Sequence, residues 1–225
     1  MIFGGKDAWI WWDWVTRNTD RILDALRQHL WFTVLAVGIA FVLSLPAGIL
    51  IQRRRTLRAP VLGLAGLLYT IPSLAFFALL SRWPGIFNLW TALIPLIIYN
   101  LYILIRAVVV GLDAVDRSVL DAANGMGYRP WRRLTRVELP LAMPSILAGL
   151  RLATVTTVGL VTVTAVLGAD RGGLGRLMYD GFFNFFRTPV TVATILTVAL
   201  AVVLDVLIIG TGRLLAPWSK ARRST

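Results

Sequence analysis

The side chains able to do acid–base or metal chemistry are thinly spread. Asp205 lies inside the apolar run TVATILTVALAVVLDVLIIG, and Asp170 and Asp180 stand on either side of a GGLG stretch. These carboxylates show no ligand spacing along the chain. His29 is the one histidine and there is no cysteine, which excludes a disulfide framework and a thiolate metal site and leaves little for a nucleophilic triad. No GxxxxGK[ST] run is present to cradle the phosphates of ATP. A membrane-embedded enzyme working through Asp205, Asp170 and Asp180 is the reading these residues carry alone. No cofactor is called for, and His29 reads as an interfacial residue without chemistry.

A denser pattern occupies residues 120–140, LDAANGMGYRPWRRLTRVELP, with Arg129, Arg132, Arg133 and Arg136. Leu112, Val115, Val119, Ala122 and Met126 recur at intervals of 3, 4, 3 and 4, one stripe of a helix. Gly127 follows, where a helix end favours a left-handed residue. Pro130 suits the start of a new helix, since its missing N–H is not needed there. Trp131, Leu134, Val137 and Leu141 form a second stripe, which Pro140 and Pro144 should end. The segment therefore reads as a helix–turn–helix hairpin. Ala122 and Ala123 near its bend would let another protein close tightly over it. Its arginines could face acidic groups on that partner or anionic lipid.

These residues must be held by membrane elements. The chain has 225 residues, 57% of them apolar and 15% charged, with a mean hydropathy of +0.74. Five segments are long and apolar enough to cross a bilayer: 30–51, 60–80, 87–110, 143–168 and 189–212. Pro46, Pro72 and Pro95 fall inside them, as bundle neighbours permit. Gly38, Gly48, Gly63, Gly66, Gly149 and Gly159 would let helices approach closely. The Trp-rich start, with Ile22, Leu23, Leu26 and Leu30 at helical spacing, reads as an aromatic and amphipathic interfacial segment over 1–27. A transmembrane domain follows over 28–212 and a basic tail over 213–225. The fold class is all-α, a polytopic membrane protein.

The net charge of +12 sits between spans, which fits membrane topology and argues against a nucleic-acid partner. Arg53, Arg54, Arg55 and Arg58 follow the first span; six arginines lie in 106–142; Arg213, Lys220, Arg222 and Arg223 close the chain. The intervening stretches are poorer, with Arg82 alone in 81–86 and three arginines in 169–188. The rich loops and the C-terminus therefore face the cytoplasm and the N-terminus faces out. Within the spans, Thr70, Ser73, Asn100, Thr157 and Asp205 are candidates for a translocation path. Against that, hydroxyls usually bond their own helix, and Asp205 could pair with Arg213 or Arg106.

Asp121-Ala122-Ala123, three residues, Gly127, nine residues, then Val137-x-Leu139-Pro140 resembles the EAA motif of ABC importer permeases, with every spacing matched. Asp121 replaces Glu and Val137 replaces Ile. HLWFTVLAVGIAFVLSLPAGILI, YTIPSLAFFALL, LPLAMPSILAGLR and GGLG are similar to glycine betaine/choline/carnitine permeases; methionine permeases share the span count and a similar GGLG. Asp170 and Arg171 before GGLG depart from that pattern. The resemblance implies a transport subunit without its own ATP site, for a quaternary-ammonium compatible solute, in the bacterial inner membrane. It implies that Asp121, Ala122, Ala123, Gly127, Val137, Leu139 and Pro140 dock a cytoplasmic ATPase. It further implies a second permease chain, identical or homologous, and an extracytoplasmic substrate-binding protein, with lipid around the spans.

Overall fold

A computed structural model describes residues 9–81, 89–167 and 172–215. These residues form helices in the order α1 (Trp12–Arg17), α2 (Thr19–Arg53), α3 (Arg58–Thr70), α4 (Ser73–Ser81), α5 (Leu89–Asp113), α6 (Arg117–Gly125), α7 (Pro130–Arg133), α8 (Leu139–Val163), α9 (Leu174–Phe183) and α10 (Arg187–Leu215). Asp170, Arg171, Arg82 and the tail beyond Leu215 lie outside the described residues.

Four helices are long and apolar enough to cross a membrane: Thr19–Arg53, Leu89–Asp113, Pro130–Val166 and Arg187–Leu214. The remaining expected span, 60–80, is not straight. Its two helices, α3 and α4, meet at 91°, the geometry of a broken span or a re-entrant loop. Pro72 explains the break. A residue before proline is pushed from the helical to the extended region, and Ile71 has φ −63 and ψ 126. Pro46 and Pro95, by contrast, stay within α2 and α5.

α2, α5 and α8 pack around one apolar core that includes Phe32, Ala36, Leu96, Leu104 and Ala153. Gly48 and Gly149 belong to this close packing: a Cβ on Gly48 would strike Val108, and one on Gly149 would strike Ala107. Gly38, Gly63 and Gly159 differ from expectation, since a Cβ there would meet nothing within 4 Å. α10 packs on α8 and α9.

The start of the chain also differs. Residues 20–30 are not a separate interfacial helix but the first turns of α2, which runs without a break. Of their apolar residues only Ile22 is buried, against Leu174, Leu177 and Ala193. In α1, Trp14 meets Phe186 edge-on at 5.4 Å and Trp12 stays exposed.

Candidate coupling hairpin and polar residues of the spans

α6 is built by its ends. Asp116 caps it, accepting hydrogen bonds from the Ser118 amide at 2.8 Å and hydroxyl at 2.9 Å. At the other end Tyr128 N–H donates to Ala123 O at 3.1 Å and Gly127 N–H to Asn124 O at 2.9 Å. That pair of bonds is a Schellman turn, and it needs the left-handed residue that Gly127 supplies with φ 77. Pro130 then opens α7 at its first turn.

Pro140 and Pro144 do not end the second arm, as expected from the sequence. Residues 134–138 form a π turn, in which Leu139 N–H reaches back to Leu134 O, and the helix continues from Pro130 to Val166. Proline in a helix lacks a donor and crowds the carbonyl four residues before it. The wider turn just ahead of Pro140 relieves both demands. The second arm is thus continuous with α8.

One arginine holds the arms together. Arg133 donates from Nε to Glu138 Oε1 at 2.8 Å and from Nη1 to Asn124 Oδ1 at 2.8 Å. Glu138 is buried at 4% exposure, while Arg133 is half-buried. Arg132 stacks over the Tyr128 ring at 5.1 Å. Two of the four arginines are therefore spent inside the hairpin, while Arg129 and Arg136 are exposed. A break at residues 114–116 resets the helical phase, so the stripe read from the sequence splits. Leu112 and Val115 are buried, while Val119, Ala122 and Met126 form an outward apolar face of α6, and Trp131 is exposed on the second arm. Ala123 points inward at 1% exposure, Asp121 is exposed, and Val137, Leu139 and Pro140 are half-buried.

Among the candidate path residues, two meet. The Asn100 amide donates to Thr157 Oγ1 at 2.8 Å, and both side chains are buried between α5 and α8. Thr70 bonds the Leu67 carbonyl of its own helix at 2.7 Å, and Ser73 begins α4 half-buried. Tyr99 stands beside Asn100 in the sequence. Its hydroxyl donates to Ile71 O at 2.5 Å, at the break made by Pro72. Asp205 pairs with neither Arg213 nor Arg106. Arg151 of α8 holds it through Nε–Oδ1 at 2.7 Å and Nη2–Oδ2 at 2.9 Å. Asp180 is ion-paired to Arg21 at 2.5 Å and to Arg176 at 3.0 Å, far from Asp205 in the chain.

His29 is not interfacial. It is fully buried, with Nε2 at 2.9 Å from Val158 O and Nδ1 at 3.3 Å from the Leu174 amide. The amide can only donate and the carbonyl only accept, so Nε2 carries the proton. The neighbouring Gln28 accepts from Gly173 N–H at 2.9 Å. Gln28 and His29 thus tie the glycine-rich loop to α2. Nothing in the spacing marks this contact, because its partners lie 129 and 145 residues away.

With this geometry in view, the description "binding-protein-dependent transport system inner membrane component" matches residues 40–209. The chain belongs to that family. Like its family, it is a multi-pass inner-membrane component of a transport system. Among curated proteins it is 36% identical over 192 residues to the osmoprotectant import permease protein OsmW of Salmonella typhimurium, covering 84% of this chain and 88% of that one. It is 33% identical over 207 residues to the choline transport system permease protein OpuBD of Bacillus subtilis, covering 92% and 90%. A carnitine transport permease, OpuCB of Listeria monocytogenes, is 33% identical over 170 residues, 76% of each chain. Among solved structures, the MetNI methionine ABC transporter in an inward-facing form superposes with a TM-score of 0.71 at 22% identity, covering 86% of this chain and 94% of that chain. At that identity the likeness speaks for the fold. The family match contains the whole hairpin and Asp205, and leaves out α1.

Proposed function

We propose that this permease is the path-forming subunit of an ATP-driven importer for a quaternary-ammonium osmoprotectant of the glycine betaine, choline or carnitine type. A separate binding protein delivers the solute from outside the membrane. A cytoplasmic ATPase supplies the energy, and a second permease chain, identical or homologous, completes the path. The N-terminus lies outside and the C-terminus in the cytoplasm.

The observation that carries the reading is the hairpin. Its bend is fixed by Gly127, its arms by Arg133, and its outer face offers Val119, Ala122, Met126 and Trp131 to a partner. A small, rigid, apolar knob on the end of a membrane helix can pass a push from a soluble motor along that helix. Asp121, Ala122, Ala123, Gly127, Val137, Leu139 and Pro140 serve this coupling, Ala123 and Gly127 by shaping the knob and exposed Ala122 by touching the partner. Thr70, Ser73 and Asp205 belong to the translocation path. Asn100 and Thr157 act on it by fixing α5 against α8.

The test is expression with an ATPase and a binding protein in a cell lacking its own osmoprotectant importers. Purification of the chain should bring down the ATPase, and labelled glycine betaine, choline or carnitine should accumulate at high osmolarity. An assembled complex that moves none of the three solutes would overturn the substrate assignment. A chain that binds no ATPase would overturn the coupling assignment.

A further inference from the structure

Arg151 and Asp205 stand at an unusual depth. Arg151 is the midpoint of Leu139–Val163, and Asp205 is about one turn inward of the midpoint of Arg187–Leu215. Both helices are span candidates, so the pair lies within the apolar length of two spans. Yet it is not enclosed: the two side chains keep 43% and 24% of their exposure. Charged groups at such depth face a protein interior or water, because hydrocarbon cannot solvate them. The face of the bundle that carries this pair is therefore one that this chain leaves unfilled. The same face of α8 is left unpacked by the chain. Pro144, Ala148, Val155 and Gly159 are exposed along it, and a Cβ on Gly159 would meet nothing within 4 Å.

The donor set is specific. Two guanidinium nitrogens of Arg151 are held by Asp205, and the third, Nη1, has no hydrogen bond among the described residues. It offers N–H groups to a carboxylate, which suits the planar fork of arginine. A trimethylammonium group has no N–H and needs only a nearby negative charge, which Asp205 supplies. We propose that the Arg151–Asp205 pair is a water-facing station on the permeation path for zwitterionic solutes, Arg151 receiving the carboxylate and Asp205 the quaternary ammonium. A zwitterion can exchange partners with the pair and strand no net charge at any stage. A cation lacking a carboxylate, such as choline, engages only Asp205. The proposal rests on the osmoprotectant reading and assigns Arg151 a part in sorting its solutes.

The chain has no cysteine, so one introduced residue gives a unique thiol. In the assembled transporter, Val155→Cys should react with a membrane-impermeant methanethiosulfonate, since Val155 is 41% exposed beside Arg151. Val158→Cys, with Val158 buried at 1%, should stay unreactive. Uptake supplies the second arm. Arg151→Gln should lower the ratio of glycine betaine to choline uptake by about tenfold, because a site built to bond a group discriminates against its absence. Arg151→Lys, which keeps the charge, should give an intermediate ratio and covers the case where Arg151→Gln does not assemble. An unreactive Val155→Cys in an assembled complex would overturn the proposal, and so would an unchanged uptake ratio. If the unaltered transporter moves neither solute while Val155→Cys reacts, the osmoprotectant reading has failed and the water-facing assignment has not.

Discussion

Arg133 is a small case of how one side chain earns a fixed place. One nitrogen bonds Asn124 across the bend of the hairpin and another bonds Glu138 within the second arm, at 2.8 Å each. Removing it leaves the Glu138 carboxylate, 4% exposed, without its cation. Arg133→Ala should therefore cost about 1–3 kcal/mol, the penalty of an unsatisfied buried acceptor. The loss should appear as a lower melting temperature in detergent. Adding Glu138→Gln should recover part of it, because the remaining group is neutral. The pair was not legible in the sequence. Side chains on an α-helix meet at intervals of about three or four, and Arg133 and Glu138 are five apart. Only the π turn brings them together. His29 was hidden for a related reason: its partners are a backbone carbonyl and a backbone amide, which no residue type announces.

Among the elements, what periodicity and length dictate was readable, and what neighbours dictate was not. Four of the long apolar runs became single helices, and Gly127 and Pro130 marked the bend of the hairpin correctly. Prolines misled in both directions. Pro72 broke a run expected to be straight, while Pro140 sits in a helix expected to stop, because a π turn makes room ahead of it. Glycine is equally dependent on context. Gly149 lies where α8 crosses α5, and a Cβ there collides with Ala107, whereas Gly159 faces open space. Gly149→Val should overpack the crossing and cost about 1–3 kcal/mol. Gly159→Ala should be neutral or slightly stabilising, since alanine favours the helix. Thermal unfolding of the two purified variants side by side checks the contrast.

For the whole molecule, α2, α5 and α8 pack as a trio, and α8 runs on without a break into the hairpin. Reporter fusions at Arg58 and Arg129 should both read cytoplasmic and one at Arg187 exterior, as the arginine distribution requires. Matching signals at Arg129 and Arg187 would break the topology. The central claim is that the hairpin transmits ATP hydrolysis to the spans, and Gly127 is the place to ask. Its φ of 77 tolerates no side chain without strain, and a Cβ costs about 1 kcal/mol there, more when β-branched. The deciding measurement is solute uptake per ATP hydrolysed by the reconstituted transporter carrying Gly127→Val. The account predicts normal membrane insertion, with either weakened ATPase binding or hydrolysis that no longer drives uptake. An attached ATPase and an unchanged ratio of uptake to hydrolysis would contradict it.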